Sequence, residues 1–234
     1  MLMVNQLVGF GAGGAAAAAA PTRVYVGSTG DATNQQNYTF TNHAIGAAAS
    51  DRLVVVVITW EVNSGGTINL SSVSIGGNAA TIIRQDEAPT SRRAHSAIAA
   101  LAVASGSTAT IAVGLSATNA NSCAVHVYAL YGLTSTTPFA NNGNGVQTAA
   151  SVSTTLDIPA GGVAVAGSSH NGAATGEDAT VTGLDEDVDM QTTDQFFYHQ
   201  AASSQGMSAE TGRTITTSSA LANASRSISA ASWA

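Results

Sequence analysis

The 234 residues carry seven arginines, no lysine and fourteen acids, for a formal charge of −7, and only 9% of the chain is charged. Soluble globular chains usually carry about a quarter, so this composition fits a surface largely covered by neighbours. It excludes a phosphate-reading groove, which needs clustered cations, because Arg92-Arg93 is the only basic pair.

The chain opens MLMVNQLVGFGAGGAAAAAA. None of the first 22 residues is Lys or Arg, so the positive n-region of a secretory signal is missing. Asn5, Gln6, Gly9, Gly11, Gly13 and Gly14 interrupt the apolar run that a membrane helix would need. The expectation is an extended N-terminal docking arm over residues 1–21, whose side chains Leu2, Val4, Leu7, Val8 and Phe10 bury on a neighbouring subunit. A Gly-rich backbone is costly to order unless such contacts hold it.

Beyond Pro21 the pattern is β throughout. Val24-Tyr25-Val26 and Tyr38-Thr39-Phe40 are short strand signals. Leu53 to Ile58 is six consecutive apolar residues rich in Val, too short for a core helix, and predicts a central strand buried on both faces. Asp51-Arg52, just before it, reads as a rim pair that closes a turn. Ile68 and Leu70 share one parity and Val73 and Ile75 the other, which predicts a bulge near Ser71-Ser72. Gly76-Gly77-Asn78 supplies a tight turn, and Ala79 to Ile83 returns as the second strand of a hairpin.

Ser91 to Ala104 has helix-like Ala content, but the alternation SAIAALAVA favours a strand. Thr108 to Leu115 and Cys123 to Tyr131 alternate in the same way. Residues 140–150 (ANNGNGVQTAA) read as a polar break, and strands resume over 152–158, 162–167, 179–184, 196–201, 211–217 and 225–233. About 12 short strands with regular turn signals predict an all-β fold, a β-sandwich of jelly-roll type. The segments on either side of 140–150 share no motif that aligns, so residues 22–234 read as a single sandwich domain with a crossover loop at 140–150.

Catalytic residues are not expected. There is no G-x-S-x-G elbow, no acid pair set in an aromatic cleft and no H-E-x-x-H among the five histidines, and the G-x-G-G of the arm precedes poly-Ala rather than following a strand. Cys123 reads as a buried inert thiol and His126 as a core or interface histidine. Asp185, Asp187 and Asp189 alternate as Ca²⁺ ligands do, although the EF-hand pattern fails at Met190 and Phe196, and a solvated acidic loop is the competing reading. In Phe196-Phe197-Tyr198, alternation sends at least one ring toward solvent or a partner, which makes this triplet the candidate contact for a glycan or a protein.

Ile45-Gly46 with Ser50-Asp51-Arg52, then Ser74-Ile75-Gly76-Gly77, then Tyr131-Gly132-Leu133, together with the opening LVGFGAGG, carry a resemblance. Over residues 1–165 the chain resembles a group of small β-sandwich structural proteins from tailed-bacteriophage gene clusters. The C-terminal third matches only in style, best at GLDED. The resemblance implies a non-enzymatic virion structural protein. The expectation is a capsid decoration (cement) protein on the virion surface, assembled in the host cytoplasm. Its partners would be the major capsid protein, other virion subunits and further copies of itself, with no nucleic acid and no membrane. The alternative is a tail-fibre or receptor-binding protein that recognises host surface glycans near residues 185–198.

Overall fold

The computed structural model describes residues 20–62, 67–89, 93–118, 120–171, 179–192, 197–220 and 224–234. The arm residues Leu2, Val4, Leu7, Val8 and Phe10, and also Phe196, lie outside them. The first part of the chain forms β1 (Thr22–Asp31), β2 (Asn37–Ala44), β3 (Leu53–Val62), β4 (Leu70–Ile75), β5 (Asn78–Ala79), β6 (Thr81–Glu87), β7 (Arg93–Ala102), β8 (Thr108–Leu115) and β9 (Ser122–Tyr131). The second part forms β10 (Ala140–Ala149), β11 (Ser151–Ile158), β12 (Gly162–Asn171), β13 (Ala179–Thr182), β14 (Asp185–Gln191), β15 (Phe197–Met207), β16 (Glu210–Ser219) and β17 (Ala224–Trp233). The fold is all-β and sandwiched, with seventeen strands rather than about 12.

The strand order divides the β-sandwich into two parts of like topology. The first part makes one sheet ordered β1-β9-β3-β7-β6 and another ordered β2-β8-β4-β5; the second makes β10-β17-β12-β15-β14 and β11-β16-β13. Strand for strand, β10 stands where β1 does, β17 where β9 does and β12 where β3 does, so one topology is used twice in tandem. Residues 140–149, expected as a crossover loop, are the first strand of the second copy. They pair on one side only, with β17, so the strand needs no apolar alternation and its Asn and Gly residues hide it from a pattern search.

One side-chain pair sets the register between the copies. Trp60 lies opposite His95 and stacks on it at 4.8 Å, and His170 lies opposite Tyr198 and stacks on it at 4.6 Å.

The two five-stranded sheets lie back to back, giving four layers and three cores. Covered on both faces, β3 is buried along all ten residues, as its unbroken apolar run predicts. The expected bulge appears as a register shift between Leu70 and Ser72. The expected hairpin turns through Gly76 and Gly77 at φ 60° and 81°, a left-handed pair that favours glycine. Its return strand is brief: after β5 the chain crosses to the other sheet as β6. Arg52 is buried and donates to the carbonyls of Gly46 (2.6 Å), Val103 (2.8 Å) and Ser105 (2.8 Å), while Asp51 accepts from Gly132 N at 2.8 Å. The pair thus fixes two loops and the link between repeats.

The seam between the inner sheets is close because glycines line it. A Cβ at Gly167 would overlap the Val57 side chain, and one at Gly145 would overlap the Glu87 main chain. Gly167→Ala is expected to lower the unfolding free energy by about 2 kcal/mol through overpacking. Gly145→Ala should cost more, since the obstruction is backbone rather than a side chain that can turn; urea unfolding of both variants checks the order.

Candidate functional site

The seam changes character along its length. At one end it is apolar, with Leu53, Val55, Tyr128 and Leu130 against Val163, Val165, Ala231 and Trp233. Toward the C-terminal ends of β3 and β12 it becomes polar while staying buried. Here serines of the second repeat hydrogen-bond the first. Ser169 Oγ donates to His95 O (2.8 Å), Ser225 Oγ accepts from Ala94 N (3.0 Å), and Ser229 Oγ donates to Ser96 O (3.0 Å). Their sequence signal is the alternation of Ser225, Ser227 and Ser229 along one face of β17.

At the centre of this polar half, hydroxyls and imidazoles alternate in single file. Tyr25 OH lies 2.5 Å from Ser28 Oγ, which lies 2.6 Å from His126 Nδ1. His126 Nε2 is 3.5 Å from Thr59 Oγ1, which is 2.8 Å from His199 Nδ1, and His199 Nε2 is 3.4 Å from Ser122 Oγ. A neutral imidazole has one donor and one acceptor, and a hydroxyl has both, so the file is satisfied without charge. Burial holds His126 down to about 3, helped by His199 and His43, and holds His199 down to about 3, helped by His170. His126 is thus an interface histidine and a weak base, joined to a serine, a threonine and a second histidine that the sequence reading did not connect.

On the same face of β3 as Thr59, Glu61 is fully buried, and neither carboxylate oxygen has a hydrogen-bond partner among the described residues. Burial pushes its carboxyl well above the usual range, and the Arg226 guanidinium pulls the other way. Cys123 is free and buried, and burial pushes its thiol up, as expected of an inert core cysteine.

The acidic run is a strand rather than a loop. It forms β14, an edge strand with a register shift between Glu186 and Val188, and its carboxylates are committed separately. Asp187 accepts from Ser203 Oγ (2.5 Å) and Tyr128 OH (3.0 Å) and pairs with Arg23 at 3.2 Å. Asp185 accepts from Ser204 Oγ at 3.0 Å and Asp189 from Ala179 N at 3.0 Å. Among the described residues no group of three or more His, Cys, Asp or Glu could hold a metal ion. Asp187 instead clamps the seam, joining β1 and β9 of one repeat to β15 of the other.

Of the aromatic triplet, Phe196 lies outside the described residues, Phe197 is 1% exposed, and Tyr198 is 2% exposed and stacked on His170. Neither ring is available to a sugar. As part of an inner sheet, β15 turns both faces inward.

No family model matches the chain, and no curated protein matches it. Four chains of solved structures do. One is dimeric latent PorU from Porphyromonas gingivalis, similar over 86% of this chain and 19% of that one at 12% identity, with a TM-score of 0.28. The chain spans about a fifth of the length of that protein (19%).

The buried imidazoles predict acid sensitivity. His95, His126, His170 and His199 are each held down to about 3, against an unfolded value near 6.5. Their contribution is therefore fully present above about pH 6.5 and is lost as pH falls, since the unfolded chain takes up protons that the fold refuses. Glu61 works in reverse, because its neutral form is favoured in the fold, but four imidazoles outweigh one carboxyl. Each histidine contributes up to about 1.4 kcal/mol per pH unit. Urea unfolding between pH 7.5 and 5 should show a steep decline, shallower in the His126→Gln/His199→Gln variant; a flat profile would contradict the assignment.

Proposed function

We propose that the chain is a non-enzymatic structural protein of a bacteriophage virion, a decoration subunit attached through residues 1–21. What supports this reading, beside the motif resemblance, is that the attachment features share one end of the stack. Ala20 and Pro21 lie beside Gly132, at the link between the repeats. The carbonyl of Ala234 accepts from Thr134 N at 2.8 Å in the same link. Among the described residues the large exposed hydrophobics are Val24, 47% exposed, and Phe139, 59% exposed. Val24 stands near the start of β1, and Phe139 immediately precedes β10 and donates its N–H to Ser232 O at 2.7 Å.

Arm and apolar side chains therefore dock from one end, with the polar half of the seam directed away from the particle. The mechanism is burial of apolar area, made durable by repetition over many copies.

The test is particle binding by the full chain and by the Val24→Asp/Phe139→Asp variant. Burial of each side chain is worth about 1.5 kcal/mol, so the pair should weaken binding roughly a hundredfold while the unfolding midpoint stays near that of the parent. Undiminished decoration by this variant and by a chain lacking residues 1–19 would sink the reading. So would purified particles that carry only a handful of copies.

A further inference from the structure

The two repeats differ at one equivalent edge, and the difference describes a missing strand. In the second repeat the free edges of β10 and β11 are joined by two asparagines. Asn142 Nδ2 donates to Thr155 O (2.9 Å) while its Oδ1 accepts from Gly143 N (2.9 Å). Asn144 repeats this between Ser153 O (2.9 Å) and Gly145 N (2.9 Å). Each side-chain amide accepts from one edge strand and donates to the other, as the peptide group of an intervening strand would.

The stacked pairs place Cys123 and Arg226 at equivalent positions, opposite Trp60 and His170. Through the ladders to β1 and β10, Thr29 then stands where Asn144 does and Gly27 where Asn142 does. Neither can form the bridge. Between β1 and β2 there is instead an open groove of about 670 Å³, walled by residues 26–32 and 39–44. Among the described residues both walls are edge strands, β1 pairing only with β9 and β2 only with β8.

We propose that this groove takes residues 1–19 of a second copy of the chain as an added β-strand, supplying the peptide groups that Asn142 and Asn144 imitate in the other repeat. The Gly/Ala stretch over residues 11–20 suits a slot bounded by two backbones, because small side chains let a third approach both. The occupant comes from another copy because of how the segment leaves its own β1. Ala20 precedes Pro21, which biases it to extended backbone. Ala20 and Pro21 lie beside Gly132, just past the end of β9, on the side of β1 opposite the groove. The seven-residue wall from Val26 to Ala32 is about 23 Å long at strand rise, well within the reach of 19 extended residues.

The proposal rests on the docking-arm reading, but its test needs no particle, so the two can fail separately. Full-length Ala12→Cys and Thr29→Cys chains are mixed and oxidised, with Ala12→Cys plus Thr180→Cys as the control pair. The expected result is a disulfide-linked heterodimer at least fivefold above the control. In a chain carrying both Ala12→Cys and Thr29→Cys, the linkage should be between chains and should fall on dilution. A link within one chain that survives dilution, or a yield equal to the control, overturns the proposal. Thr29→Asn, which restores one bridging amide, should weaken self-association in sedimentation at least tenfold with no loss of thermal midpoint; unchanged association would also overturn it.

Discussion

Everything in this fold depends on two five-stranded sheets being able to lie against each other closely enough to share a core. Backbone-to-backbone approach at Gly145 and side-chain approach at Gly167 allow it, since a methyl group at either position would occupy space already filled by Glu87 or Val57. Once the sheets meet, β3, β12 and β17 lose both faces to the interior. Any polar atom on them must then find a partner inside the protein or carry its full desolvation cost. The apolar half of the seam has few such atoms and pairs them: Trp233 Nε1 donates to Thr136 O at 3.3 Å and Tyr128 OH to Asp187 at 3.0 Å. The polar half meets it largely with hydroxyls and neutral imidazoles, which can donate and accept without adding charge, beside the one buried guanidinium of Arg226. Glu61 is the exception, and the fold accommodates it by favouring the protonated acid.

The low charge content takes on an internal cause in this light. A chain with charged residues at 9% suggests a surface hidden by neighbours, but much of the hiding is done by the molecule itself. The middle strands of the two inner sheets face no solvent, and they draw on Val, Ala, Ser and His. Apart from Glu61 on β3 and Arg226 on β17, which face each other electrostatically inside the seam, most charge lies at rims and edges. Arg52 there holds three carbonyls, Asp187 ties the repeats across the seam, and Arg84 pairs with Asp86 on β6.

Periodicity was informative where a strand has one dry face or two, and silent where it has neither. Leu53 to Ile58, the parity switch at Ser71-Ser72, the Gly76-Gly77 turn and the strand at 93–102 were all readable from side-chain spacing. β10 and β14 were not. Each is an edge strand whose side chains serve hydrogen bonds, so ANNGNGVQTA and DEDVDMQ look like loops. The duplication escaped for a related reason: the copies keep burial and ring stacking while exchanging the residues, Trp60 with His95 in one and His170 with Tyr198 in the other. The seam relay was partly visible, since alternating serines mark one face of β17, but nothing in a linear pattern connects Ser28 to His126 or Thr59 to His199 across 98 and 140 residues.

Tandem copies of one topology begin with the same edges to protect, and a free pair of edge strands is a template for added strands. The second repeat protects its edge with asparagines that act as surrogate peptide groups. The first places Gly27 and Thr29 at those positions, beside a strand that itself bulges between Phe40 and His43 with Asn42 at φ 53°. Sealing both edges would have been cheap, requiring two amides, whereas an open one leaves six residues of β1, Val26 to Asp31, along the groove. An unsealed edge beside a sealed equivalent is therefore better understood as a retained capacity to pair than as a defect of packing. The same chain carries the segment whose small residues match the opening.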